Sequence, residues 1–323
     1  MASSSKSSAG GTSSRKTSTG RVSKRDKKEN VTLANCRIGF LGGGKITDAI
    51  VKGLIQHTKV EPGRIAVSTK SGRTLDHFKQ AGCLVTKRAY DIFAKLDCDV
   101  IFFAFHGHVI RHLYKVGGTR PLALTTNYIP NQRHPIYLLS LVGGVPINDI
   151  KNTILNPEHP EKYKLEMHRI MLNASVAYGL GLGALDIEPD SKKCHPLVRD
   201  LLTSFAKIEF IPETIMDVAC SVGGNGLAFC HYFINALSDG GFKIGLPKNI
   251  AVKLAAKTLQ SAAASLLESG KHPSDLRDAS TSPSGPAIYG LHVLDKQDAG
   301  SGMAAAVEGA FKRIRELVEN PAQ

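Results

Sequence analysis

At 323 residues the chain is long enough for two domains, each with its own core. Its 41 Lys and Arg stand against 28 Asp and Glu, a formal net charge of +13, but much of that excess sits in one tail, where Lys6, Arg15, Lys16, Arg21, Lys24, Arg25, Lys27 and Lys28 face only Asp26 and Glu29. The rest is moderately basic and holds no apolar run as long as a membrane span, which argues against a specific nucleic-acid partner and against a membrane.

Residues 1–34 read as a disordered, basic, Ser/Lys-rich tail, because such a composition cannot bury enough apolar surface to offset chain entropy. The tail has neither the amphipathic apolar face of a transit peptide nor the apolar core of a secretory signal, so a soluble, cytoplasmic protein is expected. Lys24-Arg25-Asp26-Lys27-Lys28 reads as a solvated charge run in preference to a nuclear signal. The six cysteines, Cys36, Cys83, Cys98, Cys194, Cys220 and Cys230, form no C-x-x-C pair and show no zinc-like spacing. They read as reduced packing thiols, and no metal site is expected.

The first element is a strand, a glycine turn and a helix: Cys36-Arg37-Ile38 leads into Gly39-Phe40-Leu41-Gly42-Gly43-Gly44-Lys45-Ile46-Thr47, and an amphipathic stretch runs from Asp48 to Gln56. Gly42 can make the tight turn, and Gly44 has no side chain to hold a pyrophosphate off the backbone. The helix start at Lys45 and Ile46 offers unpaired N–H groups and the positive end of the dipole. This is the reading of a dinucleotide fold, with Gly42, Gly43, Gly44, Lys45 and Ile46 as cofactor-binding positions. In the G-x-G-x-x-G/A spacing the third small position falls on Thr47, which is bulkier than Gly or Ala.

A second strand, Arg64 to Ser68, exits into Thr69-Lys70-Ser71-Gly72-Arg73. An acid there would hold a bare ribose and repel a 2′-phosphate. Ser68, Lys70 and Arg73 offer a hydroxyl and positive charge instead, so NADP(H) is expected over NAD(H). A helix follows from Thr74 to Ala81, then a short strand around Cys83 to Thr86 and a helix from Ala89 to Leu96. The run Asp99 to Ala104 is apolar throughout, as a strand buried on both faces should be. Ala104 and His106, in Phe105-His106-Gly107-His108, lie at its end, where open α/β sheets bind ligands. The segment Gly117 to Pro135 reads as a long loop. Ile136 to Val142 returns as a strand into Gly143-Gly144, a second glycine turn able to approach the cofactor. A further strand is placed around His168 to Asn173.

From Pro196 onward the periodicity is helical. Leu197-Val198, Leu201-Leu202 and Phe205 recur at helix spacing, Gly223-Gly224-Asn225-Gly226 precedes a long apolar helix, and another helix runs from Ile250 to Glu268 with Gly270 and Pro273 beyond it. This half is expected to be all helix. Its helices are rich in Ala, Leu and Ile on more than one face, so a symmetric partner should cover them, with Leu237, Leu254 and Leu259 among the buried positions. The predicted fold class is α/β, a Rossmann-type doubly wound sheet over 35–195 followed by an all-α dimerisation and substrate domain over 196–323.

Ala236-Leu237-Ser238-Asp239-Gly240-Gly241-Phe242-Lys243-Ile244-Gly245-Leu246-Pro247, then Leu266 to Pro273, Leu276-Arg277-Asp278 and Thr281-Ser282-Pro283, form a long ordered signature. It resembles that of the pyrroline-5-carboxylate reductases. The likeness covers Ile38 to Leu317 and is strongest after Met216, and Arg169-Ile170-Met171-Leu172-Asn173 is similar to the family's Arg-x-Met-Pro-Asn, which adds Asn173 to the cofactor-binding set. The resemblance implies an NADPH-binding Rossmann domain, a helical domain interlocked with its twin in a homodimer that can build a larger ring, and reduction of a cyclic imine acid, 1-pyrroline-5-carboxylate, to proline.

In the family the substrate carboxylate sits on backbone N–H groups of a Ser-Pro-Gly-Gly-Thr-Thr turn. Here that turn is Ser282-Pro283-Ser284-Gly285-Pro286-Ala287. Ser284 replaces a glycine, Pro286 lacks an N–H, and Ala287 lacks the hydroxyl that the family would place near the imine nitrogen. One such lost bond to a charged group costs about 1.5–3 kcal/mol. Asn225 and the hydroxyls of Thr281, Ser282 and Ser284, with Gly285, are therefore the candidate substrate-side residues. The departures leave two alternatives to the reductase reading: a catalytically degenerate paralogue that binds cofactor or acts as a structural homo-oligomer, and a reductase of a different cyclic imine.

Overall fold

The computed structural model describes residues 31–69, 71–107, 109, 135–154, 165–187 and 194–319. The basic tail, Lys70, His108 and nearly all of the loop read from Gly117 to Pro135 lie outside the described residues.

Among the described residues, eight strands form one sheet: β1 (Ile38–Leu41), β2 (Ile65–Ser68), β3 (Leu84–Thr86), β4 (Val100–Phe103), β5 (Ile136–Ser140), β6 (Leu165–Leu172), β7 (Gly181–Leu185) and β8 (Ala206–Phe210). Their order is β3-β2-β1-β4-β5-β6-β7-β8. The first six run parallel, β7 is antiparallel to β6, and β8 follows β7 in parallel. The strand order reverses between β1 and β4, which opens a crevice at the carboxyl ends of these two strands.

Both faces of the sheet are covered, so the central strands are apolar without alternation. Ile38, Phe40, Val100, Phe102 and Leu139 face α1 (Lys45–His57), whose Ile50 and Leu54 are buried against them. The Phe40 and Phe102 rings stack at 4.9 Å and 8°. Ile101, Phe103 and Leu138 face the other way, toward Ile92 and Phe93 of α3 (Ala89–Ala94) and Ile147 and Ile150 of α4 (Ile147–Ile154). Between β2 and β3 lies α2 (Gly72–Gln80).

One expectation is corrected here. The chain after Pro196 is not all helix, because α5 (Pro196–Thr203) leads into β8. Leu197, Val198, Leu201 and Leu202 of α5 belong to the same core as Phe40 and α1. The sheet and its core therefore run through Phe210, past the boundary expected after residue 195. β8 alternates buried Ala206 and half-buried Ile208 and Phe210 with exposed Lys207 and Glu209, a strand pattern, but only five residues of it follow a strong helical signal, which masked it. β7 reads Gly-Leu-Gly-Ala-Leu, with little β propensity to reveal it.

Helices then take over: α6 (Met216–Ala219), a π-helical turn (Cys220–Gly224), α7 (Gly226–Lys243), α8 (Lys248–Ser269), α9 (Pro273–Ala279), α10 (Pro286–Lys296) and α11 (Ala299–Glu319). Their ends follow from local chemistry. Gly270 takes the left-handed conformation that closes α8 (φ 62°), and Pro273 and Pro286 open α9 and α10, where a missing N–H costs nothing. His272 caps α9, its Nδ1 accepting the Ser274 N–H at 3.2 Å. Within one chain this half is not sealed: Leu237 and Leu254, expected to be buried, are 51% and 50% exposed, and Ile244, Leu267, Tyr289 and Val293 also face outward. No helix of the described residues is long and apolar enough to cross a membrane.

Leu201 is fully buried in the core that α5 shares with α1, so Leu201→Ala should destabilise the chain by about 2–5 kcal/mol. Urea unfolding checks this; a loss no larger than that of a surface substitution would place α5 outside the core.

Candidate cofactor and substrate site

The glycine turn stands at the carboxyl end of β1, in the crevice. Gly42 has φ 112°, and a Cβ there would lie 2.1 Å from the Ala104 carbonyl oxygen, so no other residue fits between β1 and the end of β4. The Gly42 N–H donates to the Ser68 carbonyl at 2.9 Å, and the Ala104 N–H to that of Leu41 at 2.9 Å. The turn is thus held to β2 on one side and β4 on the other. Thr47, the bulkier third position, is fully buried, and its hydroxyl donates to the Gly42 carbonyl at 2.8 Å. It fastens the turn from within the helix it opens.

Gly44, by contrast, has open space around its missing side chain and an ordinary φ of −78°. The fold does not require a glycine at this position, and the open space leaves room for a ligand to approach the backbone closely. The N–H groups of Lys45, Ile46 and Thr47 find no acceptor among the described residues. Lys45 is exposed, and Ile46 packs partly on the core. A start of α1 with free donors, no side-chain cap and no crowding at Gly44 fits a pyrophosphate.

At the exit of β2, Ser68 is buried and Arg73 is exposed in the first turn of α2. Asp48 of α1 ties this region together, accepting from Lys52 Nζ at 2.7 Å and pairing with His77 Nε2 of α2 at 2.6 Å. Burial pushes the Asp48 carboxyl up, but the bonds from Lys52 and His77 outweigh it and hold the group below the usual carboxylate range. His106 is exposed beyond β4.

Gly143 and Gly144, read as a turn that could approach the cofactor, serve another purpose. A Cβ on Gly144 (φ 75°) would lie 2.6 Å from Val318 Cγ2 and 2.9 Å from the Ile314 carbonyl oxygen, so the last turns of α11 occupy that side of the loop. Asn173 is likewise committed. Its Oδ1 accepts the N–H groups of Ser175 and Leu182 at 3.3 and 3.2 Å, and its Nδ2 donates to the Gly223 carbonyl at 3.4 Å. It links the end of β6 to the π-helical turn.

On the helical side, Asn225 is exposed just after that turn and makes no side-chain hydrogen bond among the described residues. The Thr281 hydroxyl donates to the Asp278 carbonyl at 2.8 Å, and the Gly285 N–H to that of Ser282 at 2.9 Å. Ser284 sits at φ 55°, the conformation its glycine counterpart would adopt freely. The N–H groups of Ala287 and Ile288, at the start of α10, find no acceptor among the described residues.

Two comparisons decide the family. A family model described as pyrroline-5-carboxylate reductase dimerisation matches residues 213–317, and one described as NADP oxidoreductase, coenzyme F420-dependent, matches residues 37–120. Pyrroline-5-carboxylate reductase 3 of Bos taurus is 31% identical over 285 residues, 88% of this chain and 86% of the relative. The chain belongs to the pyrroline-5-carboxylate reductase family.

The Arabidopsis thaliana pyrroline-5-carboxylate reductase is 29% identical over 88% of this chain and 96% of its own length. Among solved structures, 1-pyrroline-5-carboxylate reductase from Streptococcus pyogenes superposes with a TM-score of 0.71 at 25% identity, over 87% of this chain and 99% of that one. Plasmodium falciparum pyrroline carboxylate reductase, solved with NADP bound, has the same fold, with a TM-score of 0.69 at 20% identity over 88% and 99%.

Within this family framework, one chain gathers Gly42, Gly43, Gly44, Lys45, Ile46, Ser68 and Ala104 around the crevice. It does not join them to the turn 281–287: among the described residues no hydrogen bond or ion pair links the two. Sequence reasoning missed Thr47 as a fastener, the docking of Ile314 and Val318 on the second glycine turn, and the carboxylates of Glu213 and Asp217 described below. The first was noticed but read as a misfit; the others are contacts between residues far apart in the chain.

Gly44→Ala should leave unfolding stability within about 1 kcal/mol, since the backbone there suits alanine. It should weaken NADPH binding by about tenfold or more, or ~1.4 kcal/mol. Gly42→Ala should instead disrupt folding. Denaturation curves read alongside NADPH titrations test the contrast, and an unchanged NADPH affinity in Gly44→Ala would remove the pyrophosphate from this turn.

Proposed function

We propose that this protein is an NADPH-dependent oxidoreductase that reduces the C=N bond of 1-pyrroline-5-carboxylate to give proline, working in the cytosol as a homodimer. The observation that carries this reading is the uncrowded, donor-rich start of α1 in a chain whose relatives are pyrroline-5-carboxylate reductases along nearly their whole length. Free, mostly buried cysteines among the described residues suit a reducing compartment.

NADPH, when bound, supplies the hydride that reduces the imine carbon. The chain's own part is to bind, orient and neutralise. Gly42, Gly43 and Gly44 with the Lys45 and Ile46 N–H groups hold the pyrophosphate, while Ser68, Lys70 and Arg73 suit a 2′-phosphate better than a bare ribose hydroxyl. Ala104 and His106 line the crevice where β4 ends. Asn173, bonded to three backbone groups, supports the site by holding the π-helical turn in place.

For the imine acid, the second uncapped helix start is the counterpart of the first. The Ala287 and Ile288 N–H groups and the dipole of α10 attract its carboxylate. Pro286 contributes no donor, and with Ala287 in place of a threonine the ring nitrogen is served by the Ser282 or Ser284 hydroxyl, by Asn225, or by the proton it already carries. The exposed apolar faces of α7, α8 and α10 give the homodimer its interface, and the turn 281–287 meets a cofactor domain only when that dimer forms. A ring of such dimers is the larger assembly this reading allows.

Purified protein should oxidise NADPH when pyrroline-5-carboxylate is added, faster than it oxidises NADH, and Arg73→Ala should narrow that difference. Ala287→Thr should raise kcat by about tenfold, the worth of one hydrogen bond to a reacting group. No turnover at millimolar imine in either protein would reduce the function to cofactor binding, and turnover with another ring size alone would move the substrate.

A further inference from the structure

Arg169 lies on β6, three residues before the strand ends, and its side chain is 4% exposed. Burying a guanidinium is costly unless it is paired, and the two carboxylates that meet it come from outside the sheet. Its Nη2 donates to Asp217 Oδ1 of α6 at 2.5 Å, and its Nη1 stands 4.0 Å from Glu213 Oε1, just before α6. Both carboxylates have a second task. Asp217 Oδ1 also accepts the Gly144 N–H at 2.9 Å, and Glu213 Oε1 accepts the Ile147 N–H at 2.7 Å, capping the start of α4.

Two of these four contacts end on one loop, Gly143 to Ile147, and the other two tie the same carboxylates to Arg169. The loop leaves the carboxyl end of β5, the neighbour of β4, at the edge of the crevice in which an open parallel sheet binds its ligand. The other side of the loop is packed by Ile314 and Val318 of α11. A buried ion pair is weak evidence of added stability, since apolar residues of the same volume would serve as well. What apolar residues could not do is hold two backbone N–H groups of this loop at set positions.

We propose that Arg169 is a positioning residue for the reaction: by holding the Asp217 and Glu213 carboxylates it fixes the loop Gly143–Ile147, and with it the rim of the crevice and the seat of the helical domain. This rests on the reductase reading above for its kinetic consequence, but not for its structural one. Sub-ångström placement of the reacting groups governs the rate of hydride transfer, whereas no hydrogen bond among the described residues ties this loop to the glycine turn at 42–44, so NADPH affinity should depend on it little.

The test compares the full-length protein with Arg169→Met, Arg169→Lys, Asp217→Ala and Asp217→Asn, each first confirmed folded by circular dichroism. Hydrogen exchange is read at the Gly144 and Ile147 amides without cofactor. NADPH affinity, the emission of bound NADPH, and kcat and KM with pyrroline-5-carboxylate follow. In Arg169→Met the two amides should exchange about tenfold faster or more, and kcat should fall about tenfold or more while NADPH affinity and the KM for the imine stay within about threefold. Arg169→Lys should recover part of both losses, and Asp217→Asn, which keeps an oxygen for Gly144, should lose less than Asp217→Ala. Unchanged exchange, or faster exchange with parental kcat, would overturn the proposal by leaving Arg169 a purely structural ion pair.

If Arg169→Met fails to fold, Arg169→Lys and Asp217→Asn decide: parental exchange and kcat in both would overturn it. If the parent protein turns over no imine, the reductase reading fails on its own. The inference then stands or falls on whether the variants speed exchange and shift the emission of bound NADPH at unchanged affinity.

Discussion

The narrow passage between β1 and β4 governs this molecule. Parallel pairing of these two strands brings the Ala104 carbonyl into the space a side chain at residue 42 would need, so the backbone must turn there as glycine. Three hydrogen bonds, from Gly42, Ala104 and Thr47, then leave that turn almost no freedom. The consequence is electrostatic. A helix begins with its first donors unspent and no side chain over them, and the dipole of thirteen residues points at whatever anion enters.

The helical half has the opposite character. Local devices such as the His272 cap and the left-handed Gly270 close some of its helix ends, yet within a single chain the helices leave Leu237, Leu254, Leu267 and Val293 in contact with water. At roughly 25 cal/mol per Å² of apolar surface, covering such a face is worth far more than any one of the caps. Membership in a family whose model for this region describes dimerisation identifies the cover as a second copy. Stability and assembly are therefore linked, because the turn 281–287 lies on the half that needs a partner.

Between the halves, the joint is polar on one side of the loop Gly143–Ile147 and apolar on the other. Arg169, Asp217 and Glu213 supply direction, while Ile314 and Val318 supply contact area. Such a joint holds the loop through directed hydrogen bonds as well as through packing.

Local signals were sufficient for much of this. The Gly42 to Gly44 turn, the unbroken apolar run at β4, and the Gly270 and Pro273 helix punctuation each state their structure within about ten residues, because backbone sterics and burial on both faces act at that range. The long ordered match from Ala236 to Pro283 carried the family. Tertiary structure alone decided the rest. Whether Thr47 obstructs or fastens the turn depends on where its hydroxyl points. Whether Gly143 and Gly144 face a cofactor or a helix depends on Ile314 and Val318, some 170 positions away. β8 found its place along the edge of β7, where its short alternating pattern, masked by the helix before it, could pair, and Arg169 found Asp217 across 48 residues of chain. Contacts of that span are set by how the elements pack, and no local pattern encodes them.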